Sequence, residues 1–369
     1  MNLLIDAHVF DDKFQGTRTY LKGLYSQLFL VSRKIHFFMA ARDINNLKNE
    51  FGEHENVTYI PLKSQNKFYR LLIELPQIIK KNKIDYAHYQ YICPPFKNCK
   101  VIITTHDILF EQKEYKLFFP LKYRIINGIL FKWSAKRADV LLTVSNYSKK
   151  KISEIYKIPE EKIKITPNAV NLIYEEESSK DLLVKNRLGK YLLYVSRVEP
   201  RKNHLNLLKA FVELKLASKG YKIIFIGKKD ISFSKLEEYV DKIHPKEKES
   251  ILWLENVSND MLKMYYRNCE LFVFPSFAEG FGIPPLEAMT YNKKILCSKN
   301  TAMEDFKLPN TITFDPEDVN ELKQKIEIQL RSSFSLKEDY KKILSRYNWK
   351  IISKEYYHLL IEHSKNIKN

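Results

Sequence analysis

The sequence predicts two doubly wound α/β domains in succession, on three observations. A chain of 369 residues is too long for one ordinary core. Short apolar runs alternate with longer amphipathic stretches from end to end, the pattern of strand–helix units around a parallel sheet. That alternation is interrupted once, by the polar, acid-rich "NLIYEEESSKDLLVKNR" at 171–187, and then resumes.

In the first half "NLLID", "KIHFFMA", "VIITT" and "VLLTVS" are nearly all apolar, as strands covered on both faces must be. Between them "TRTYLKGLYSQLFLV" puts Tyr20, Leu21, Leu24, Tyr25 and Leu28 on one helical stripe. "VSNYSKKKISEIYKI" opens with Ser145 or Asn146, either of which suits an N-cap. The second half offers "YLLYVS", "KIIFIG", "ILWLE", "LFVFPS" and "KILCS" as strands, with helices around 203–217, 233–243, 259–269 and 285–292. The tail is one more helix, with Trp349, Ile352, Tyr356, Leu359 and Leu360 on a shared stripe. No strand follows it, so it is placed to return to the first domain. The reading is a domain at 1–172 completed by helix 348–369, and a domain at 187–347.

Composition, 44% hydrophobic and 29% charged, is that of a soluble globular protein. No run approaches the ~20 apolar residues needed to cross a bilayer, and the N-terminus has no signal-peptide pattern. Four scattered cysteines suggest neither a zinc site nor a disulfide framework, and fit a reducing cytosol. The charge of +18 is uneven: residues 1–172 carry +12 and the rest +6. Two readings stand: a surface for anionic lipid or nucleic acid, or a Lys-, Ile- and Asn-rich bias without a partner. Within 113–137 bulky apolar residues interleave with Lys and Arg. Over 113–122, where Pro120 interrupts any helix, this reads as a membrane-interface segment. Over 123–137 it reads as a core helix, with Ile125, Ile129 and Trp133 on the sheet.

The candidate chemistry gathers at strand ends. "FAEGFGIPPLEAM", 277–289, holds Glu279 and Glu287 with two glycines and two prolines between them. A strand precedes it and a helix begins at its prolines, where a missing N–H costs nothing. Gly280 and Gly282 allow close backbone approach to an anion at that helix N-terminus, while carboxylates on either side accept from hydroxyls. The plainer reading is a helix entry with Glu287 as a dipole partner. "VSRVEPRKNH" brings Arg197 and Lys202 after another strand, suited to phosphate charge. "TTHDILF" places His106 after "VIITT", and "FQGTRTY" places Gly16 before a helix.

With "TVSNYSKKKI", "TPNAV" and "FDPEDVNEL" added in order, the chain resembles a retaining glycosyltransferase of the GT-B fold, in glycosyltransferase family 4. The resemblance spans nearly the whole chain. It implies two facing Rossmann-like domains with a C-terminal crossover helix, the nucleotide-sugar donor on the second and a saccharide or lipid-linked saccharide acceptor on the first. It implies that Glu279 meets hydroxyls at the reacting face of the sugar, that Glu287 meets the ribose, and that Arg197 and Lys202 hold the diphosphate. Phe281, Gly282 and Ile283 would line the pocket with their backbone, His106 would lie over the donor sugar, and Gly16 would approach the diphosphate. The base would lie against Asn256–Ser258, at Val257. The first-strand loop departs from the family pattern, since Thr17 and Arg18 follow Gly16 where further glycines are usual; "TYNKKIL" replaces a small turn after Glu287.

The expectation is a hexosyltransferase of surface polysaccharide assembly, such as lipopolysaccharide or capsule, mannose being one candidate sugar. No metal and no cofactor are expected. It would work in the cytoplasm, with a peripheral place at the inner face of the membrane. The runners-up are another GT-B enzyme, a phosphorylase or a nucleotide-sugar epimerase, and a basic nucleic-acid-binding protein. A dinucleotide oxidoreductase is disfavoured because no GxGxxG follows a predicted strand, and no nucleic-acid motif is present.

Overall fold

The computed structural model describes residues 1–11, 16–32, 34–171, 188–229, 233–332 and 336–365. All but the first residue of the predicted connection at 171–187 lies outside them. The chain divides into two compact units, Met1–Ala169 with Tyr347–Asn369, and Val170–Arg346.

The first unit is a seven-stranded sheet in the order β3-β2-β1-β4-β5-β6-β7. Its strands are β1 (Asn2–Asp6), β2 (His36–Ala41), β3 (Val57–Pro61), β4 (Tyr86–Gln90), β5 (Lys100–Thr104), β6 (Val140–Thr143) and β7 (Ile163–Ile165). Every pairing is parallel. The second unit is a six-stranded parallel sheet in the order β10-β9-β8-β11-β12-β13. It comprises β8 (Lys190–Val195), β9 (Tyr221–Ile226), β10 (Ile251–Leu254), β11 (Leu271–Phe274), β12 (Ile295–Ser298) and β13 (Thr313–Phe314). In each sheet the strand order reverses once, between β1 and β4 and between β8 and β11. Such a reversal opens a crevice beyond the carboxyl ends of the two strands, and ligands bind there.

Helix α1 (Gly16–Val31) buries the predicted stripe of Tyr20, Leu21, Leu24, Tyr25 and Leu28. The terminal helix Trp349–Lys365 packs beside it, burying Trp349, Ile352, Tyr356 and Leu360 within the first unit. Ser145 caps the helix Asn146–Tyr156, accepting from the Ser148 N–H at 3.0 Å. The opposite face of the sheet is covered by side chains from 71–79, by Phe131 and Ala135, and by Ile152 and Tyr156.

The helix Leu121–Arg137 exists and begins after Pro120, but Ile125, Ile129 and Trp133 do not pack on the sheet. Phe131, Ser134 and Ala135 fill that role, and the three larger side chains point outward. Apolar side chains at helical spacing imply a face, and here that face is not the one on the core.

Candidate active site

In the second unit the candidate residues follow β8 and β11, the two strands at the reversal. A 3-10 turn, Pro200–Lys202, leads through Asn203 in the left-handed conformation (φ 57°) into the helix His204–Glu213. Asn203 tolerates that conformation at modest cost, and its amide donates to the carbonyls of Pro275 (3.0 Å) and Pro316 (2.8 Å). The turn is thus tied to the loop after β11. Two further bonds reinforce the tie: Phe277 N–H to the Arg201 carbonyl at 2.9 Å, and Arg201 Nη1 to the Ala278 carbonyl at 3.0 Å.

Glu279 lies at the centre of this arrangement, only 7% exposed. Lys202 Nζ donates to its Oε1 at 2.6 Å, and Arg201 Nη1 to its Oε2 at 3.3 Å. Burial pushes the carboxyl pKa up, yet the two cations outweigh that and hold it below the usual glutamate value. Lys202 is pushed down by burial and by Arg201. Arg201 also pairs with Glu199 through Nε at 3.0 Å. The Glu279 backbone N–H donates to Thr301 Oγ1 at 2.9 Å. Thr301 is a buried β-branched residue at φ 58°, a strained conformation that persists only when its surroundings over-determine it.

Beyond Glu279 the chain passes through buried Gly280 and Phe281 to Gly282 at φ 94°. A Cβ on Gly282 would meet Met303 Cε at 2.1 Å, the movable end of a flexible side chain, so it is the left-handed conformation that requires glycine. The helix Ile283–Thr290 then starts with two prolines. Of its first four residues only Ile283 and Leu286 carry an N–H, so donors concentrate at the glycine turn. Glu287 is half-buried and accepts from Tyr266 Oη at 2.6 Å; burial raises its pKa. Val257 lies before Ser258, which caps the helix Asn259–Asn268.

Arg197, the other predicted phosphate ligand, is 44% exposed in its side chain, with Nε 3.7 Å from Glu199 Oε1. The structure puts Arg201 rather than Arg197 on Glu279. Sequence reasoning passed over Arg201, and also Thr301, Tyr266 and Tyr194, whose hydroxyl donates to the Lys202 carbonyl at 2.8 Å. Choosing Arg201 over Arg197 needs the phase of the three-residue turn Pro200–Lys202, for which the sequence carries no signal.

In the first unit Gly16 is the first residue of α1, with open space around it; residues 12–15 lie outside the described residues. Arg18 is held by Glu50 at 2.6 Å. His106 is buried just past β5, its Nε2 2.7 Å from Gln90 Oε1. The Gln90 amide in turn donates to His88 Nε2 at 3.2 Å, so Gln90 accepts from His106 and leaves Nδ1 as that ring's acceptor. Burial holds His106 neutral, with a pKa near 3. Asp6 at the end of β1 is a further buried group, 3.0 Å from His8 Nδ1 and 3.4 Å from Arg70 Nε. Among the described residues no group of three or more His, Cys, Asp or Glu is placed to hold a metal ion.

Two Rossmann-like parallel-sheet units, with a glycine turn and a buried carboxylate at the strand-order reversal of the second, define the GT-B architecture. The profile of "Glycosyl transferases group 1" matches residues 175–345, and that of "Glycosyltransferase Family 4" residues 29–173. The O-antigen chain mannosyltransferase B of Escherichia coli is 30% identical over 81% of this chain and 84% of its own. The O-antigen chain mannosyltransferase RfbU of Salmonella typhimurium is 29% identical over 60% of this chain and 63% of its own length, short of two thirds. A sucrose-phosphate synthase from Thermosynechococcus elongatus superposes with a TM-score of 0.76 over 98% of both chains, at 17% identity, a likeness of fold. The chain belongs to glycosyltransferase family 4, the group 1 glycosyl transferases.

Proposed function

We propose that the protein moves a hexose, mannose, from a nucleotide-sugar to a lipid-linked saccharide in the assembly of a surface polysaccharide, with retention and without a metal ion. The observation that carries this reading is the buried Glu279–Lys202–Arg201 cluster at the β8/β11 switch point. An ionised carboxylate there accepts hydrogen bonds from sugar hydroxyls, and the cations beside it oppose the charge growing on a diphosphate leaving group. The mannosyltransferase relatives support the choice of sugar.

The step breaks the bond from the anomeric carbon to the phosphate oxygen. The acceptor hydroxyl attacks from the side the phosphate leaves, and the departing phosphate oxygen takes its proton. Configuration is retained without a covalent enzyme intermediate. Lys202 and Arg197 hold the diphosphate, with Arg201 fixing Glu279. His106, neutral, is the first unit's candidate for a sugar hydroxyl.

The test is nucleoside diphosphate release from a panel of GDP-mannose, UDP-glucose and UDP-galactose without acceptor. Slow hydrolysis of GDP-mannose above the others is expected, undiminished in excess EDTA. Hydrolysis confined to another donor overturns the choice of sugar; activity lost in EDTA and restored by Mg²⁺ or Mn²⁺ overturns the role given to the cations.

A further inference from the structure

The helix Leu121–Arg137 buries only Phe131, Ser134 and Ala135. At about 100° per residue, Leu121, Ile125, Ile129 and Trp133 share an outward arc of roughly 120° with Lys122, Lys132 and Lys136. Leu121, Ile125 and Ile129 are 63, 55 and 66% exposed, and Leu117 just before the helix is 84% exposed. The helix carries five Lys or Arg and no Asp or Glu.

The surface continues past the helix. Arg137 Nη2 donates to the Pro95 carbonyl at 3.0 Å and Lys97 Nζ to the Arg137 carbonyl at 3.2 Å, which seats the loop bearing exposed Phe96 beside the helix end. Beyond that loop, Asn98 lines a cavity of about 560 Å³ together with Leu72, Ile73 and Lys80. Phe68 is exposed on the same helical stretch. The carboxylates nearby offset this charge only in part, Glu111 acting on Lys132 and Arg124 while Lys122 and Lys136 stay exposed. Asp139 is already paired with Lys97 (2.9 Å) and Lys100 (3.7 Å), and Glu111 lies close beneath Gly128.

We propose that this strip, from Leu117 along the outer face of helix 121–137 to Phe96 and Leu72, is a docking surface for an anionic lipid bilayer. Charge complementarity selects the occupant. Isolated apolar side chains spaced by lysines suit an interface in which methylene groups lie at the acyl boundary and ammonium groups meet phosphates. A protein partner of this area would want a continuous apolar centre, which the interleaved lysines break. Arg137 lies over the Trp133 ring at 4.8 Å, placing an amphipathic ring and a cation together at the edge of the strip. The proposal deepens the lipid-linked acceptor reading and rests on it for its purpose.

Flotation of the whole protein with phosphatidylcholine vesicles, with and without phosphatidylglycerol, tests it. Binding should require the anionic lipid and weaken with salt. Changing Lys122, Lys132 and Lys136 to Gln should weaken it about fivefold each, roughly 100-fold together. Ile125→Ser with Ile129→Ser should weaken it about tenfold or more. A blue shift of tryptophan fluorescence on binding should disappear in Trp133→Phe. Slow GDP-mannose hydrolysis in solution should be unchanged in the lysine variant. If that hydrolysis is absent from the parent while vesicle binding behaves as stated, the donor reading falls and the docking surface stands. Equal recovery with neutral and anionic vesicles overturns the docking surface, as does undiminished binding by the lysine variant. Binding to duplex DNA with none to vesicles, or a dimer in solution that buries this strip, also overturns it.

Discussion

Glu279 is an ionised carboxylate almost without water around it, and its charge survives because two cations lie against it. Breaking such a pair from one side leaves the partner uncompensated. Glu279→Gln is expected to lower turnover by about 100-fold or more, the scale for losing one positioned polar group. Glu279→Leu, which strands Lys202, should in addition cost about 3–5 kcal/mol in a denaturant titration. Near-normal turnover in folded Glu279→Gln would remove this residue from the site. Asp6 makes a pH prediction at the same scale. Burial would raise its pKa, but His8 and Arg70 bring it from 3.8 down to about 2. A depressed carboxylate stabilises above its ordinary value and loses that contribution as pH falls through the folded one. Roughly 2 kcal/mol should therefore vanish between about pH 4 and pH 2. Asp6→Asn should be less stable at neutral pH and flatter across that window; an unchanged slope would refute the assignment. At this scale the sequence showed which segments matter better than which side chains do. Glu279 could be read from its glycines and prolines. Arg201 could not be told from Arg197, because choosing between them needs the phase of a three-residue turn.

Strands and helices were more legible where burial and hydrophobicity coincide. The predicted strands β1, β8, β9 and β11 are apolar almost throughout, and they form. Strand β4, "YAHYQ", was not read, because it buries His88 and Gln90 through hydrogen bonds instead of apolarity. Short β13 left two residues of signal. The outward face of helix 121–137 shows the converse error, apolarity mistaken for burial. The pairing of α1 with the terminal helix rests on a glycine that no periodicity singles out. A Cβ on Gly23 would lie 2.0 Å from the Trp349 ring, which is itself buried. Alanine gains about 1 kcal/mol of helix propensity over glycine. Overpacking against a rigid ring costs about 1–3 kcal/mol or more. The clash is expected to win, so Gly23→Ala should be less stable by chemical denaturation. Trp349→Leu in the same chain should relieve part of that loss, giving a double variant less damaged than the two singles summed. Strict additivity would mean the two residues do not share this contact.

The two units differ in how they depend on the whole chain. Val170–Arg346 is continuous, and all six strands of its sheet come from within it. The first unit is discontinuous: Met1–Ala169 needs Tyr347–Asn369 to cover α1. Trp349, Ile352, Tyr356 and Leu360 are all buried there, and Ser353 Oγ donates to the Leu24 carbonyl at 2.8 Å. Four such side chains at roughly 1.5–3 kcal/mol each amount to about 6–12 kcal/mol, the size of a domain's entire stability. Ending the chain at Arg346 should therefore unfold the first unit while the second keeps a cooperative transition. If the donor's diphosphate is held by Lys202, Arg197 and the glycine turn, the shortened chain should still bind GDP with little loss, yet transfer no sugar. Calorimetry and GDP titration on the full and shortened chains read both halves of this expectation. A first unit that melts unchanged without the terminal helix would refute the packing argument. Loss of GDP binding from a second unit that still unfolds cooperatively would instead locate part of the nucleotide's contacts in the first.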